Sequence, residues 1–444
     1  MGRKGYDVTT KGSEGDPWEG LRSLPFGQRL EVTDDLGTVW RGTVIPPHDL
    51  SGPRTLTLKL ASGYNVGIHI GPRTTYQVLA GTAPSAAVPP AARSTPHAAA
   101  GGVELLTTGG TIASRVDYET GGVRPVSGED ELLAFFPELL EAGPIRVTPV
   151  LDVLSENLVP QDWVTLADQV VAAFGRGAEG VVVAHGTDTM GFTAAALAFL
   201  LVDLPGPVVL VGAQRSPDRP SSDGPSNLHA AVRVARDRRL GEVVVVMHEG
   251  LSDDRFAIHR GTWVRKMHSS RRDAFQSRNG PPIGAVDPAG VQLRPTARPP
   301  MKGPPRVDGR LDPRGGLLAF YPGLTPQRAR QFAEGLRGLV LAGTGLGHIA
   351  AEHLSWIREA TARGLVVAMT TQCLEGVVDP YVYATGRELL AAGVLYLDDL
   401  LPETAYAKLL WALGRASAPE EVRRLLLTDR AGEFHERRPV GARP

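Results

Sequence analysis

The sequence predicts an α/β protein in which a small all-β, barrel-like domain precedes a larger parallel-sheet domain and then a smaller α/β domain. Three observations carry this reading. Short alternating runs crowd residues 26–80. Continuous apolar runs alternate with helical stretches from residue 103. That alternation stops across 280–315 and then resumes.

Taken in order, residues 1–25 open on "MGRKGYDVTTKGSEGD", which is polar, lacks the apolar core of a signal peptide and reads as disordered. In 26–80, "QRLEVTD", "TVWRGTVI", "TLTLKLAS" and "YNVGIHI" largely alternate apolar and polar residues, with turn chemistry in "DDLG" and "ASGYN". Four or five such strands fit a small barrel; the alternative is an open sheet packed on the next domain. Residues 81–102 are nearly all Ala, Pro, Ser, Thr and Gly and read as a linker. Across 103–300, "VELLTT", "IRVTPVL", "GVVVAHG", "PVVLVGA" and "EVVVVMH" are continuous apolar runs, as expected of strands covered on both faces. Helical stretches such as "QDWVTLADQVVAAFGRG" separate them. Residues 280–315 are rich in Pro, Gly and Arg, and 316–430 read as the second α/β domain.

Composition sets the exclusions. A chain of 444 residues has room for about three domains. A net charge of −1 gives no global field for nucleic acid or anionic membrane. The apolar runs are too short to span a bilayer, so the expected compartment is the cytoplasm. The single cysteine, Cys373, forms no internal disulfide and reads as a buried packing thiol after a strand. The 11 histidines include no H-E-x-x-H, and no metal is expected. "GTGLGH" lacks the spacing of a dinucleotide fingerprint.

In open α/β sheets ligands bind beyond the carboxyl ends of the strands, so polar groups there come first. Thr111 follows the first strand of the parallel sheet, Ser155 and Glu156 the second, Thr187 and Asp188 the third, and Lys266 comes after the fifth. A threonine hydroxyl is a poor nucleophile without a base. A lysine serves as one when burial or a charged neighbour lowers its pKa. Thr187, Lys266 and Asp188 thus make a threonine version of the Ser–His–Asp arrangement, or Asp188 binds a substrate ammonium. Asp188 also stands where it can cap the helix starting near Met190. The glycines of "TTGGT" let a loop carry Thr111 close to an electrophilic carbon.

"TTGGTIAS" and "AHGTDTM" resemble the two signature stretches of L-asparaginase-type amidohydrolases, and "GAQRSPDRPSSDGPSNL" resembles a third segment of that family. "GYNVGI" at 63–68, "HRGTWVRKMHSSRRDAFQS" at 259–277 and "LPETAYAKLLWALG" at 401–414 resemble one branch of it, the archaeal-type glutamyl-tRNA(Gln) amidotransferase subunits called GatD. The resemblance implies two asparaginase-like α/β domains behind the added β domain. It puts the family's threonines on Thr111 (nucleophile) and Thr187, its acid on Asp188 and its lysine on Lys266. Ser155 and Glu156 fall on the pair that binds the substrate's α-carboxylate and α-amino groups, with Glu in place of the family Gln. Tyr118 falls near the mobile lid tyrosine, and His348 near an asparagine that completes a neighbouring subunit's site. The implied activity is glutamine hydrolysis through a threonine acyl-enzyme. Ammonia then passes to a GatE-type subunit that binds tRNA and converts Glu-tRNA(Gln) to Gln-tRNA(Gln). The implied assembly is a homodimer through the asparaginase-like domains, within a heterotetramer of two GatD and two GatE chains. This chain is expected to bind no cofactor; ATP and Mg belong to the partner subunit, which also makes most of the tRNA(Gln) contacts.

Overall fold

The computed structural model describes residues 8–11, 16–47, 52–60, 65–82, 101–109, 114–116, 123–125, 143–215 and 222–435. Most of the 81–102 linker lies outside them.

The first unit is a six-stranded sheet in which every neighbouring pair is antiparallel. Its spatial order is Val8–Lys11, Thr75–Thr82, Gln28–Thr33, Val39–Val44, Thr55–Leu60, Asn65–His69. Alternation puts Leu30, Val32, Val44, Leu56, Leu58 and Ile68 into one buried cluster. Two elements fall inside 1–25, which the sequence reading made disordered: the Val8–Lys11 strand and a helix at Pro17–Leu21. The helix has a local cause. Asp16 is its N-cap and accepts from the Trp18 N–H, and Pro17 occupies the first turn, where a missing N–H costs nothing. Leu21 is its payload, 1% exposed in the sheet's core.

The large sheet has eight strands, ordered Ile145–Pro149, Val103–Thr107, Gly180–Ala184, Val208–Val211, Val243–His248, Phe256–Arg260, Gly284–Asp287, Gly290–Leu293. The first five run parallel and the last three turn antiparallel. Leaving Val103–Thr107, the chain goes first to one side of that strand and then to the other. Strand order therefore reverses between Val103–Thr107 and Gly180–Ala184, which opens a crevice at their carboxyl ends. A four-stranded parallel sheet follows: Gly315–Ala319, Gly338–Gly343, Val366–Thr371, Leu395–Tyr396.

The helix Pro402–Arg415 lies late in the chain but belongs to the large core. It packs on the helix Met190–Leu200, with Phe199 stacked on Trp411 at 6.1 Å and Phe192 edge-on to Tyr406 at 6.2 Å. Its other side presses Leu409 and Leu410 onto Gly315 and Gly338 of the small sheet. Each such leucine contributes about 1.5–3 kcal/mol by burial. The 316–430 segment keeps a core of its own around Leu339, Trp356 and Met369, while its last helices also pack into the core of the preceding domain. Lys408, on this helix, is fully buried; its Nζ lies 2.5 Å from Glu433 Oε1 and donates to the Leu426 and Thr428 carbonyls.

Candidate active site

The site forms where the strand order reverses. Val103–Thr107 ends in Thr108, whose buried hydroxyl donates to the Ala184 carbonyl at 3.1 Å, and in Gly109. Gly109 has φ +89°, and a Cβ there would lie 2.7 Å from the Val153 nitrogen. Only glycine meets both demands, so Gly109→Ala should cost about 1–3 kcal/mol, checked by the shift in denaturation midpoint. An unchanged midpoint would contradict it. Thr111 and Tyr118 lie outside the described residues.

From the neighbouring strand comes His185-Gly186-Thr187-Asp188. Gly186 sits so close to Ser155 that a Cβ would meet its side chain at 2.7 Å, and Gly212, on the next strand end, stands equally close to the Thr187 methyl. These approaches fix Thr187 between two loops. Ser155 is buried in the short 3-10 turn Ser155–Asn157, and Glu156 beside it is exposed. Thr189 is the N-cap of Met190–Leu200, but its hydroxyl donates to the Ser155 carbonyl at 2.7 Å. Asp188 does not cap this helix.

Lys266 arrives by a route that the sequence reading simplified. It does not stand at the carboxyl end of the fifth strand. The antiparallel strand Phe256–Arg260 intervenes, and the chain then reverses at Gly261. It climbs beside the helix Met190–Leu200, with Gly261 against Ala194 and Val264 against Gly191. Lys266 ends the strand Val264–Lys266, which pairs with Phe275–Ser277. His259 holds the second strand through Ser277 Oγ at 2.8 Å, and Thr404 donates to the Thr262 carbonyl at 2.8 Å. His435 stacks on Trp263 with ring centroids 3.9 Å apart.

Lys266 Nζ donates to Thr187 Oγ1 and to Asp188 Oδ1, each at 2.8 Å. The lysine side chain is 14% exposed and the aspartate 69%. An ion pair with so exposed a partner contributes about 0–1 kcal/mol, so the contact serves geometry more than stability. The amine and the threonine hydroxyl thus stand within hydrogen-bond reach, the geometry that proton transfer between them requires.

Other residues differ from their sequence reading or went unread there. Cys373 is exposed rather than buried. His348 lies in a loop of the small-sheet unit, edge-on to Tyr383 at 5.2 Å. His185 is fully buried, and burial pushes its imidazole down to about 4, so it is neutral at pH 7 and donates from Nδ1 to the Gly186 carbonyl. The "AHGTD" run contains it, but nothing in sequence says that it sits behind the turn that carries Thr187 and Asp188. Among the described residues no group of three or more His, Cys, Asp or Glu is placed to hold a metal ion, and no helix is long and apolar enough to cross a membrane.

Comparison with known proteins gives three family matches: "Asparaginase, N-terminal" over residues 102–298, "Glutaminase/Asparaginase C-terminal domain" over 316–426, and "GatD N-terminal domain" over 24–79. The GatD subunit of the glutamyl-tRNA(Gln) amidotransferase of Pyrococcus horikoshii is 46% identical over 92% of this chain and 94% of its own. The protein of that name from Methanopyrus kandleri is 43% identical over 94% and 93%. Among solved structures, the thermostable L-asparaginase from Thermococcus kodakarensis superposes with a TM-score of 0.69 at 36% identity, covering 76% of this chain and 99% of its own.

Proposed function

The chain belongs to the asparaginase-type amidohydrolases, in the GatD branch found in glutamyl-tRNA(Gln) amidotransferases, and from that premise we propose that it is the glutaminase subunit of a Glu-tRNA(Gln) amidotransferase. The observation that carries the chemistry is Lys266 Nζ at 2.8 Å from both Thr187 and Asp188. The branch rests on relatives that share the N-terminal β domain and nearly the full length.

In this reading Thr111 Oγ attacks the side-chain carbonyl carbon of glutamine. Lys266, aligned by Thr187 and Asp188, takes the hydroxyl proton and returns one to the departing nitrogen, which leaves as ammonia. The acyl-threonine ester is then opened by water to give glutamate. Ser155 and Glu156 hold the substrate's α-carboxylate and α-amino groups, and Tyr118 closes over it. Ammonia passes to a GatE-type subunit, which uses ATP and Mg to activate Glu-tRNA(Gln), making the whole an ATP-dependent carbon–nitrogen ligase with glutamine as amido donor. The assembly is a heterotetramer built on a homodimer of this chain, and it works in the cytoplasm.

The test is ammonia release from glutamine and from asparagine, by the chain alone and with partner subunit, Mg-ATP and Glu-tRNA(Gln). Glutamine turnover that rises in the full mixture is expected. Fast asparagine turnover by the isolated chain would make this a free-standing asparaginase.

A further inference from the structure

A buried polar chain runs beside the site, and the mechanism above does not use it. It begins at Asp223, which is 0% exposed and heads the helix Gly224–Ala235. Its carboxylate accepts the backbone N–H groups of Gln214 (3.0 Å) and Arg215 (2.9 Å), which follow the strand end at Gly212, and Asn227 Nδ2 (3.0 Å). Asn227, equally buried, also donates Nδ2 to the Gly212 carbonyl at 3.0 Å. Those two bonds fix the amide's orientation, so Oδ1 faces His248 Nδ1 at 2.6 Å. His248 is also 0% exposed, and its Nε2 lies 2.8 Å from Asp253 Oδ1. Asn227 Oδ1 and Asp253 Oδ1 thus each face one ring nitrogen of His248.

Asp253 is where this chain meets the other side of the site. Its Oδ1 accepts from Arg272 Nη1 at 3.0 Å and from Ser226 Oγ at 3.1 Å. Arg272 lies in the turn joining Val264–Lys266 to Phe275–Ser277, the hairpin that carries Lys266. At the opposite end, Gly212 rests on the Thr187 methyl. Burial works against the charge on Asp253, but the bonds from His248 and Arg272 outweigh it and hold the carboxyl below its ordinary range.

We propose that Asp253 is a positioning residue that holds the Lys266 hairpin in register with Thr187, acting through Arg272 on one side and through His248, Asn227 and Gly212 on the other. It touches neither the lysine nor the threonine. One surface carboxylate is linked to the turn behind the amine directly, through Arg272, and to the loop behind the hydroxyl through His248 and Asn227, so loosening it weakens the hold on both. The kinetic arm of the test rests on the glutaminase reading; the exchange arm does not.

Asp253→Ala and Asp253→Asn are compared with wild type in the full complex. The side chain is 57% exposed, so neither change opens a cavity. In Asp253→Ala, exchange of the Gln214 and Arg215 amides should speed up by about tenfold, and kcat for glutamine should fall by about tenfold with KM within about twofold. Asp253→Asn keeps an acceptor and should stay within about threefold of wild type in both. Exchange at 212–215 left unchanged in Asp253→Ala overturns the proposal, whatever the substrate proves to be. Faster exchange with unchanged kcat also overturns it, because the loop would then be mobile without consequence for Lys266. A wild-type complex that releases no ammonia from glutamine refutes the glutaminase reading, and the exchange result alone then decides the role of Asp253.

Discussion

Replacing Lys266 with alanine should lower glutamine hydrolysis by about a thousandfold or more and leave the chain folded. The side chain reaches out of a three-residue strand and bonds to Thr187 and Asp188, so its loss removes no core packing. What disappears is the amine within reach of the Thr187 hydroxyl. Lys266→Arg should not rescue, because a guanidinium stays protonated and offers no lone pair. Because a proton-transfer step is lost, kcat should carry the effect rather than KM. Single-turnover ammonia release with the circular dichroism spectrum as a folding control measures it. A loss below about tenfold would remove Lys266 from the role of base.

Lys408→Met should destabilise the fold by about 3–5 kcal/mol, because it leaves Glu433 buried without its counter-charge. The two side chains are both 0% exposed. Burial pushes the Glu433 carboxyl up, and Lys408 now opposes that rise. With the lysine gone the rise is unopposed. A carboxyl whose folded pKa exceeds its unfolded one binds its proton more tightly in the fold. Stability contributed by that proton is present below the unfolded value and is lost as pH climbs through the folded one. The variant's deficit should therefore be largest at neutral pH and shrink in acid. Adding Glu433→Leu should recover only part of it, since Glu433 also accepts the Arg430 and Ala431 N–H groups. Urea midpoints at neutral and acid pH, read beside wild type, test both the size and the sign.

The parts of this molecule that show in its sequence are those set by short-range patterns. The runs at 180–184, 208–211 and 243–247 are apolar on both faces because both are buried, and that needs no partner to be read. The helix Pro17–Leu21 is just as local, written in Asp16-Pro17, but the polar residues around it hid the single buried leucine that holds it down. Thr187 and Asp188 are adjacent in sequence and stay together in space. The meeting of Thr187 with Lys266, 79 residues apart, depends on the reversal at Gly261 and on tight glycine contacts that no spacing rule contains. Family resemblance, not periodicity, picked out that lysine. Cys373 was misjudged because an apolar run leading into a residue says nothing about the loop that carries it away from the core. The polar chain through His248 stayed invisible for the same reason: its members come from a helix, a strand and three loops.

The helix Pro402–Arg415 also bears on how the chain is made. Roughly 200 residues separate it from Met190–Leu200, the helix that it covers. A ribosome adding ~5–20 residues per second needs roughly 10–40 s to pass from one to the other. Once Gly290–Leu293 is made, the nascent large sheet has all its strands but still not its lid, and the Phe199 side of its helix has nothing to bury against until Pro402–Arg415 arrives. Chaperone capture should concentrate on this intermediate. A ribosome stalled before residue 402 leaves a first domain that proteases can open, and one cut at the 300–315 connector would not mature on its own.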